Sequence, residues 1–453
     1  VSSIEERPVP HPSALPAMCV VIEADGQDQW ADGLPAPCKN HRELEDVDLR
    51  NLVRNAGIVG RGGAAIPTAV KLNTAGKAIE TLVINGAECE PYITCDDRLM
   101  REHAAEIISG IAVAQQLVEP AQTLIGLEDN KAKAICALEE ALQANPLPNT
   151  QVVAVPTIYP TGGEKQLIKV LTGKKVPSMG LPVTIGVICQ NVGTMYAVHK
   201  AVIDGEPLIE RMVTVTGDAI NEPCNLRARI GTPIRDLSAA ASGYKGNIQR
   251  LIMGGPMMGF ALQSDDLPIL KSTNCILAAS ALLAPDPAAS MPCIRCGECM
   301  KVCPAQLLPQ QLYWYAREKN FDKVQDYRLF DCIECGCCAQ VCPSQLPLVQ
   351  YYRFAKTEIW QQERERAKSD LARERHEFRT ERLEKAAREK AEKAAAKKAA
   401  LEAKKKAEAV KKAEAGDEEE VDPKKAAIQA AMDRVKAKKA ARAADDNQGK
   451  SGD

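Results

Sequence analysis

Two rhythms of apolar residues alternate between about residue 41 and residue 205. Short aliphatic and β-branched runs at 81–85, 123–127, 151–155 and 184–189 read as buried strands. Between them, segments 98–117, 130–143, 164–171 and 192–203 place apolar side chains every three or four residues, the helical period. This alternation predicts an α/β layer fold with a largely parallel sheet. Residues 210–262 change character. Strand-like runs at 212–217, 230–232 and 249–253 are separated by Gly, Pro and Asn turns, which predicts a small α+β module. A further helix is expected at 310–319, and a possible strand at 19–23 lies within a proline-broken opening segment.

Beyond Trp360 nearly every residue is Ala, Lys, Glu or Arg. Such composition favours a long solvated helix with i,i+4 pairs such as Glu381 and Lys385, or a partly disordered tail, over a packed domain. An acidic break begins at Gly416, Pro423 follows, and a second helical stretch is expected to run to about Ala444. No a/d apolar seam is sustained, so a coiled coil is not expected. A basic arm resting on anionic lipid or an acidic partner is the functional alternative for this tail.

The formal net charge of −2 hides an asymmetry. Residues 1–360 hold 32 Lys and Arg against 39 Asp and Glu, and residues 361–453 hold 26 against 21. The body is therefore acidic, which argues against nucleic acid as a partner. The length of 453 residues allows two or three domains. No apolar stretch reaches 18 residues and no signal peptide is legible, so neither a membrane span nor a secretory route is expected. The chain opens on Val1, and a missing natural start is the expectation.

Seventeen cysteines are present, and eight of them form two copies of one pattern. Cys293, Cys296, Cys299 and Cys303 stand as C-x-x-C-x-x-C-x-x-x-C before Pro304, and Cys332, Cys335, Cys338 and Cys342 repeat the spacing before Pro343. This is the bacterial ferredoxin signature of paired four-iron clusters, in which the fourth cysteine of each run serves the other run's cluster. On that rule Cys293, Cys296, Cys299 and Cys342 hold one cluster, and Cys332, Cys335, Cys338 and Cys303 hold the other. A zinc ribbon would leave the third cysteine of each run surplus, and a chain of this length needs no disulfide framework. Cys337 reads as a bystander. Cys19, Cys38, Cys89, Cys95, Cys136, Cys189, Cys224 and Cys275 are scattered without ligand spacing and read as free thiols in a reducing compartment.

A second chemical feature is the glycine-rich segment from Gly57 to Leu72. Gly60, Gly62 and Gly63 would let backbone approach a ligand, while Arg61 and Lys71 supply positive charge. A helix expected after Pro67 would aim its N–H groups at a phosphate. No Gly-Lys-Ser/Thr follows, so it is not a P-loop, and the preceding segment is helical rather than a strand, which disfavours a conventional dinucleotide fingerprint. A bland turn is the alternative. Asn85, Glu88 and Glu90 follow one strand, and Gln190, Asn191 and Thr194 follow another, at the strand ends where open α/β sheets place ligands. Together these patches suit a phosphorylated heterocyclic cofactor.

The combination resembles the C subunit of the Rnf (Rsx) electron-transport complexes, a family similar in its α/β part to the NADH-binding flavoprotein subunit of respiratory complex I. The residues that carry it are GRGGAAIPTAVK at 60–71, NGAECEP at 85–91, GGEKQLIKVLTG at 162–173, CQNVGT at 189–194, GGPMMG at 254–259 and the two cysteine runs. The resemblance implies a Rossmann-like α/β domain at 41–205 that binds FMN and NADH, after a remnant of a truncated domain at 1–40. It further implies a ubiquitin-like β-grasp module at 206–275, an α-helical ferredoxin-type domain at 285–355 and a charged tail at 361–453.

Within the α/β domain, Gly60, Arg61, Gly62 and Lys71 would hold the FMN phosphate side, and Asn85 and Glu88 would lie near the ribityl chain or ring. Gln190, Asn191 and Thr194 would close the far side, with Glu90 and Gly63 facing NADH. No catalytic side chain is singled out. Ala65-Ile66, Ala87 and Glu164-Lys165 depart from the flavoprotein pattern. The implied role is a peripheral subunit at the cytoplasmic face of the bacterial inner membrane. It would pass electrons between NADH and ferredoxin-side carriers, in company with the A, B, D, E and G subunits of the Rnf complex and a ferredoxin. A soluble hydrogenase or formate dehydrogenase diaphorase, or a non-catalytic electron wire or scaffold, are the alternatives.

Overall fold

The computed structural model describes residues 1–11, 16–38, 40–60, 65–74, 76–414 and 427–436. The chain divides into a unit at 1–361 and a second at 362–453. The first begins with an antiparallel pair, β1 (Ser3–Pro8) and β2 (Pro16–Val21). There follow α1 (Asp46–Asn55), α2 (Thr68–Lys71), β3 (Thr81–Asn85), α3 (Cys95–Glu102), α4 (Ala104–Val118), β4 (Gln122–Glu128), α5 (Ala132–Ala144), β5 (Thr150–Val155), α6 (Glu164–Thr172), β6 (Val187–Asn191) and α7 (Val192–Val202).

Strands β5-β4-β3-β6 form one parallel sheet in that order. Alternate residues of each strand face opposite layers, the period of a pleated strand. Leu82, Ile84, Ile125 and Ile188 join the core shared with α1, α4, α5 and α7. Val83, Val187 and Cys189 join the smaller core with Leu167 and Ile168 of α6. Helices therefore cover both faces, and the near-continuous apolar strands follow from burial on both sides. Gly110 is required where α4 meets α7, since a Cβ there would come 1.9 Å from the Met195 carbonyl oxygen.

The second half of this unit carries β7 (Glu210–Thr216), β8 (Cys224–Arg229), α8 (Ile234–Ala240), β9 (Arg250–Met253), β10 (Phe260–Leu262) and β11 (Cys275–Ala279). They form a sheet ordered β10-β9-β11-β7-β8, in which β11 runs parallel to β7 and the other neighbours are antiparallel. The strand expected at 230–232 is a turn instead. β8 lies at 224–229 because it pairs Glu210 with Arg229 and Val215 with Cys224, and Gly231 at φ +96° then breaks the extension. β11 reaches four residues past the expected module boundary at 275.

Then come α9 (Glu298–Lys301), α10 (Pro309–Arg317), α11 (Phe321–Asp326), α12 (Cys337–Gln340) and α13 (Leu348–Glu414). Leu312, Tyr313, Ala316, Val324, Leu329, Tyr352, Ala355 and Ile359 form their core. In the second unit α13 continues to Glu414, exposed throughout 362–411, and residues 427–436 are helical. The acidic break at Gly416–Pro423, and the end of the second stretch near Ala444, lie outside the described residues. Among the described residues no helix is long and apolar enough to cross a membrane.

Candidate redox centres

The order of the parallel sheet fixes one crevice. The chain winds from β3 outward to β4 and β5, then returns through α6 to place β6 on the other side of β3. That reversal makes a topological switch point between the carboxyl ends of β3 and β6, where open α/β sheets bind ligands. Asn85 and Asn191 sit opposite one another there. Their side chains are structural. Asn85 Nδ2 donates to the Gly162 carbonyl at 2.8 Å and its Oδ1 accepts from Ala87 N–H. Asn191 Oδ1 caps α7 by accepting from Gly193 N–H at 2.8 Å, and its Nδ2 donates to Asp96 at 2.7 Å.

Other buried groups around this end of the sheet are unsatisfied. Gln190 Nε2, Thr194 Oγ1, Gln166 Oε1, Thr68 Oγ1 and Glu128 Oε1 have no hydrogen-bond partner among the described residues. Four of these orphaned polar atoms lie on segments that end or follow the strands of one sheet, with Thr68 on α2 ahead of β3, and such a set fits a polar ligand because buried polar groups are ordinarily paired. Sequence reasoning had named only Gln190 and Thr194 of these.

The glycine segment is a folded-back stem. Gly60 N–H donates to Ile66 O at 2.8 Å, and Thr68 N–H to Ile58 O at 2.9 Å. Arg61, Gly62 and Gly63 lie outside the described residues. The helix expected after Pro67 is the single turn α2, too short to develop much of a dipole. Lys71 Nζ pairs with Glu164 at 2.5 Å.

Arg211, 5% exposed, anchors this stem from the neighbouring sheet. Its guanidinium donates to Val59 O at 3.0 Å, Gly193 O at 3.3 Å and Lys271 O at 2.9 Å. Lys271 Nζ donates to Gly57 O at 2.6 Å. The stem of the glycine segment and the first turn of α7 are thus gripped by one side chain that no sequence motif marked.

Two acidic residues expected at the cofactor have other partners. Glu88 accepts from Asp96 N–H at 2.8 Å and Asp97 N–H at 3.1 Å, capping α3, with Lys131 at 3.7 Å. Burial, aided by the Asp96 charge, pushes its carboxyl up to about 7. A carboxyl raised above its unfolded value favours folding fully below that unfolded value, and the contribution is lost as pH rises through about 7. Glu88→Gln is therefore expected to flatten the fall in thermal stability between pH 5 and pH 8, a fall of up to about 3 kcal/mol. Parallel stability curves for the two proteins over that range would contradict it. Glu90 Oε1 accepts from Met257 and Met258 N–H at 2.8 and 2.9 Å, and a Cβ on Gly255 would lie 2.2 Å from Glu90 Cγ. Glu90 thus holds the 254–259 loop.

The cysteines gather around two cavities. One is lined by Cys303, Cys332, Cys335 and Cys338. The other is lined by Cys293, Cys296, Cys299 and Cys342. Each quartet takes its fourth member from the other run, and Cys337 lines neither. The two chelating turns share one backbone form. Arg295 and Gly297 have φ of +57° and +79°, and Glu334 and Gly336 have φ of +59° and +81°. N–H groups already point at sulfur, from Gln310 to Cys293 at 3.3 Å, Leu307 to Cys303 at 3.4 Å and Glu334 to Cys332 at 3.4 Å. Four cysteines lining one void are the ligand set that a four-iron cluster takes.

The two cavities differ in surroundings. Cys335 and Cys338 are buried, and Tyr159 of the α/β region donates its hydroxyl to the Cys335 carbonyl at 2.6 Å. A Cβ on Gly336 would lie 3.0 Å from the Met257 carbonyl. This inner site touches both the α/β layer and the second sheet's loop. Cys296 at the outer site is exposed, beside exposed Met291, Ile294 and Met300.

Comparison with known proteins agrees with this arrangement. Residues 53–200 match the Nuo51 FMN-binding domain, 212–261 the SLBB domain and 292–346 the 4Fe-4S dicluster domain. The C subunit of the ion-translocating oxidoreductase complex of Pseudomonas aeruginosa is 48% identical over 384 residues, 84% of this chain and 49% of that protein. Its namesake in Yersinia pestis is 49% identical over 391 residues, 86% of this chain and 62% of that protein. The chain thus spans about half to three-fifths of these relatives' length. An NAD+-reducing [NiFe]-hydrogenase structure superposes with a TM-score of 0.50 at 19% identity, covering 70% of this chain and 63% of that one, a likeness of fold alone. The chain carries an FMN-binding domain and a domain for two 4Fe-4S clusters, and over most of its length it is similar to the C subunits of ion-translocating oxidoreductase complexes.

Proposed function

We propose that this chain passes electrons between NADH and a ferredoxin-side carrier, as a peripheral subunit at the cytoplasmic face of a bacterial inner membrane. FMN, when bound, supplies the exchange between a two-electron hydride donor and one-electron carriers. The orphaned groups of Gln190, Thr194, Gln166 and Thr68 would hold it, with Gly60, Arg61 and Gly62 on its phosphate side and Gly63 facing NADH. Cys303, Cys332, Cys335 and Cys338 would ligate the inner cluster, and Cys293, Cys296, Cys299 and Cys342 the outer one. The observation that carries the reading is the contact of the inner quartet with the α/β layer through Tyr159, while the outer quartet opens to solvent at Cys296. That order suits a one-electron wire leading from a buried cofactor site to a docking partner, one of the A, B, D, E and G subunits of the complex or a ferredoxin.

A second reading, an electron wire whose α/β domain binds no nucleotide, draws support from Lys71, Glu88 and Glu90, whose charges are engaged within the protein. A soluble diaphorase is less well supported, because the paired cysteine runs exceed its usual single motif. Anaerobic purification with iron, sulfide and flavin quantified separates these. About eight irons and one FMN per chain, with flavin bleaching on addition of NADH, is the expected result. Full iron without flavin or NADH response would favour the bare wire.

A further inference from the structure

The two cysteine runs are built alike but charged differently. Each residue of the first has a counterpart 39 positions later, as Cys293 with Cys332 and Cys303 with Cys342. Arg295 in the outer chelating turn corresponds to Glu334 in the inner one. Trp314 and Arg317 of α10 correspond to Arg353 and Lys356 of α13. Arg317 is exposed and lies over the Trp314 ring, 5.6 Å from its centroid. Lys356 is only 7% exposed. Its ammonium donates to the Cys332 carbonyl and to Glu334 Oε1, both at 2.7 Å. Arg353 donates to Glu334 Oε2 at 2.8 Å and to the Met258 carbonyl at 3.3 Å.

Glu334 lies between Cys332 and Cys335 and is the anion shared by the two cations. The inner turn therefore carries two cations against one carboxylate, with one of the cations buried and fixed by a ligand residue's own backbone. The outer site has two arginines, Arg295 and Arg317, both exposed to water. A four-iron cluster becomes more negative by one charge on reduction, so burial opposes reduction and a nearby fixed cation favours it. The cation acts most strongly where water is scarce.

We propose that the Lys356 ammonium, steadied by Glu334 and Arg353, raises the reduction potential of the cluster held by Cys303, Cys332, Cys335 and Cys338 above the value its burial alone would set. The role rests on the ligand reading given under Proposed function. Reduction adds one electron to the cluster and makes or breaks no bond. Lys356 acts through its charge. The outer cluster, with both of its cations exposed, has no such support.

The test is a potentiometric titration of the anaerobic full-length chain with dithionite, followed by electron paramagnetic resonance. It needs neither NADH nor flavin. Lys356→Gln keeps a donor for the Cys332 carbonyl and removes the charge. Its iron content is expected to match the wild type, while one of the two midpoint potentials moves negative. A tenfold change in the oxidised-to-reduced ratio corresponds to about 59 mV for one electron. The shifted signal is expected to be the one that Cys332→Ala abolishes, and Lys356→Arg should restore the wild-type potential. Unmoved potentials with iron retained would overturn the role, as would a shift confined to the signal that Cys293→Ala abolishes. Loss of iron in Lys356→Gln but not in Lys356→Arg would make the lysine an assembly residue and overturn it equally. The wild-type iron count separates the failures: about eight irons with unmoved potentials overturns the role of Lys356 alone, whereas about four or none overturns the ligand reading and this role with it.

Discussion

Replacing Cys303 with alanine is expected to halve the iron of the chain, from about eight atoms to about four, and to remove the inner cluster rather than the outer one. Cys303 closes the first cysteine run in the sequence, so a reading by proximity would assign it to Cys293, Cys296 and Cys299. The structure instead sets its thiol on the cavity lined by Cys332, Cys335 and Cys338, with Leu307 N–H donating to its sulfur at 3.4 Å. The paramagnetic signal lost in Cys303→Ala should match the one lost in Cys332→Ala, and Cys342→Ala should match Cys293→Ala. The consequence for electron flow is severe. The inner site is the one that touches the α/β layer, so reduction of the remaining cluster by NADH should fall by orders of magnitude while dithionite still reduces it. Pairing of the Cys303→Ala spectrum with that of Cys293→Ala would refute the crossed ligation.

The cysteine pattern was legible because its information is local. Three ligands spaced by two residues specify a chelating turn whatever surrounds it, and the glycine after the second cysteine supplies the positive φ the turn requires. Strand β3 was equally legible, since four consecutive buried residues, Thr81 to Ile84, run into the Asn85-Gly86 break. β11 was not. Cys275–Ala279 ends in two alanines and carries little strand signal, yet it is the central strand of its sheet through parallel pairing with β7, some sixty residues earlier. The protein partners of the charged candidates were illegible for the same reason. Glu90 finds its N–H donors 167 residues away in the 254–259 loop, and Lys71 finds Glu164 at a separation of 93. A charge beside a glycine loop looks like ligand chemistry until the tertiary fold supplies a protein partner.

Arg211 was illegible on the same grounds, and its replacement carries the second large expected effect. Arg211→Met should lower stability by about 3 kcal/mol, because it strips donors from three backbone carbonyls in a buried setting. The loss should be selective in what it releases. Val59 belongs to the stem of the glycine segment and Gly193 to the first turn of α7, beside the unsatisfied hydroxyl of Thr194. With the guanidinium gone, the two walls of the switch-point crevice lose their common tether, while the cysteine quartets keep all their own contacts. FMN content is therefore expected to fall several-fold with iron content unchanged, and the thermal midpoint to drop by several degrees. Arg211→Lys should not rescue it, since one compact ammonium cannot span three carbonyls that a planar fork reaches together. Equal loss of iron and flavin would point to general unfolding, and retention of flavin at wild-type level would show that the crevice holds its shape without this residue.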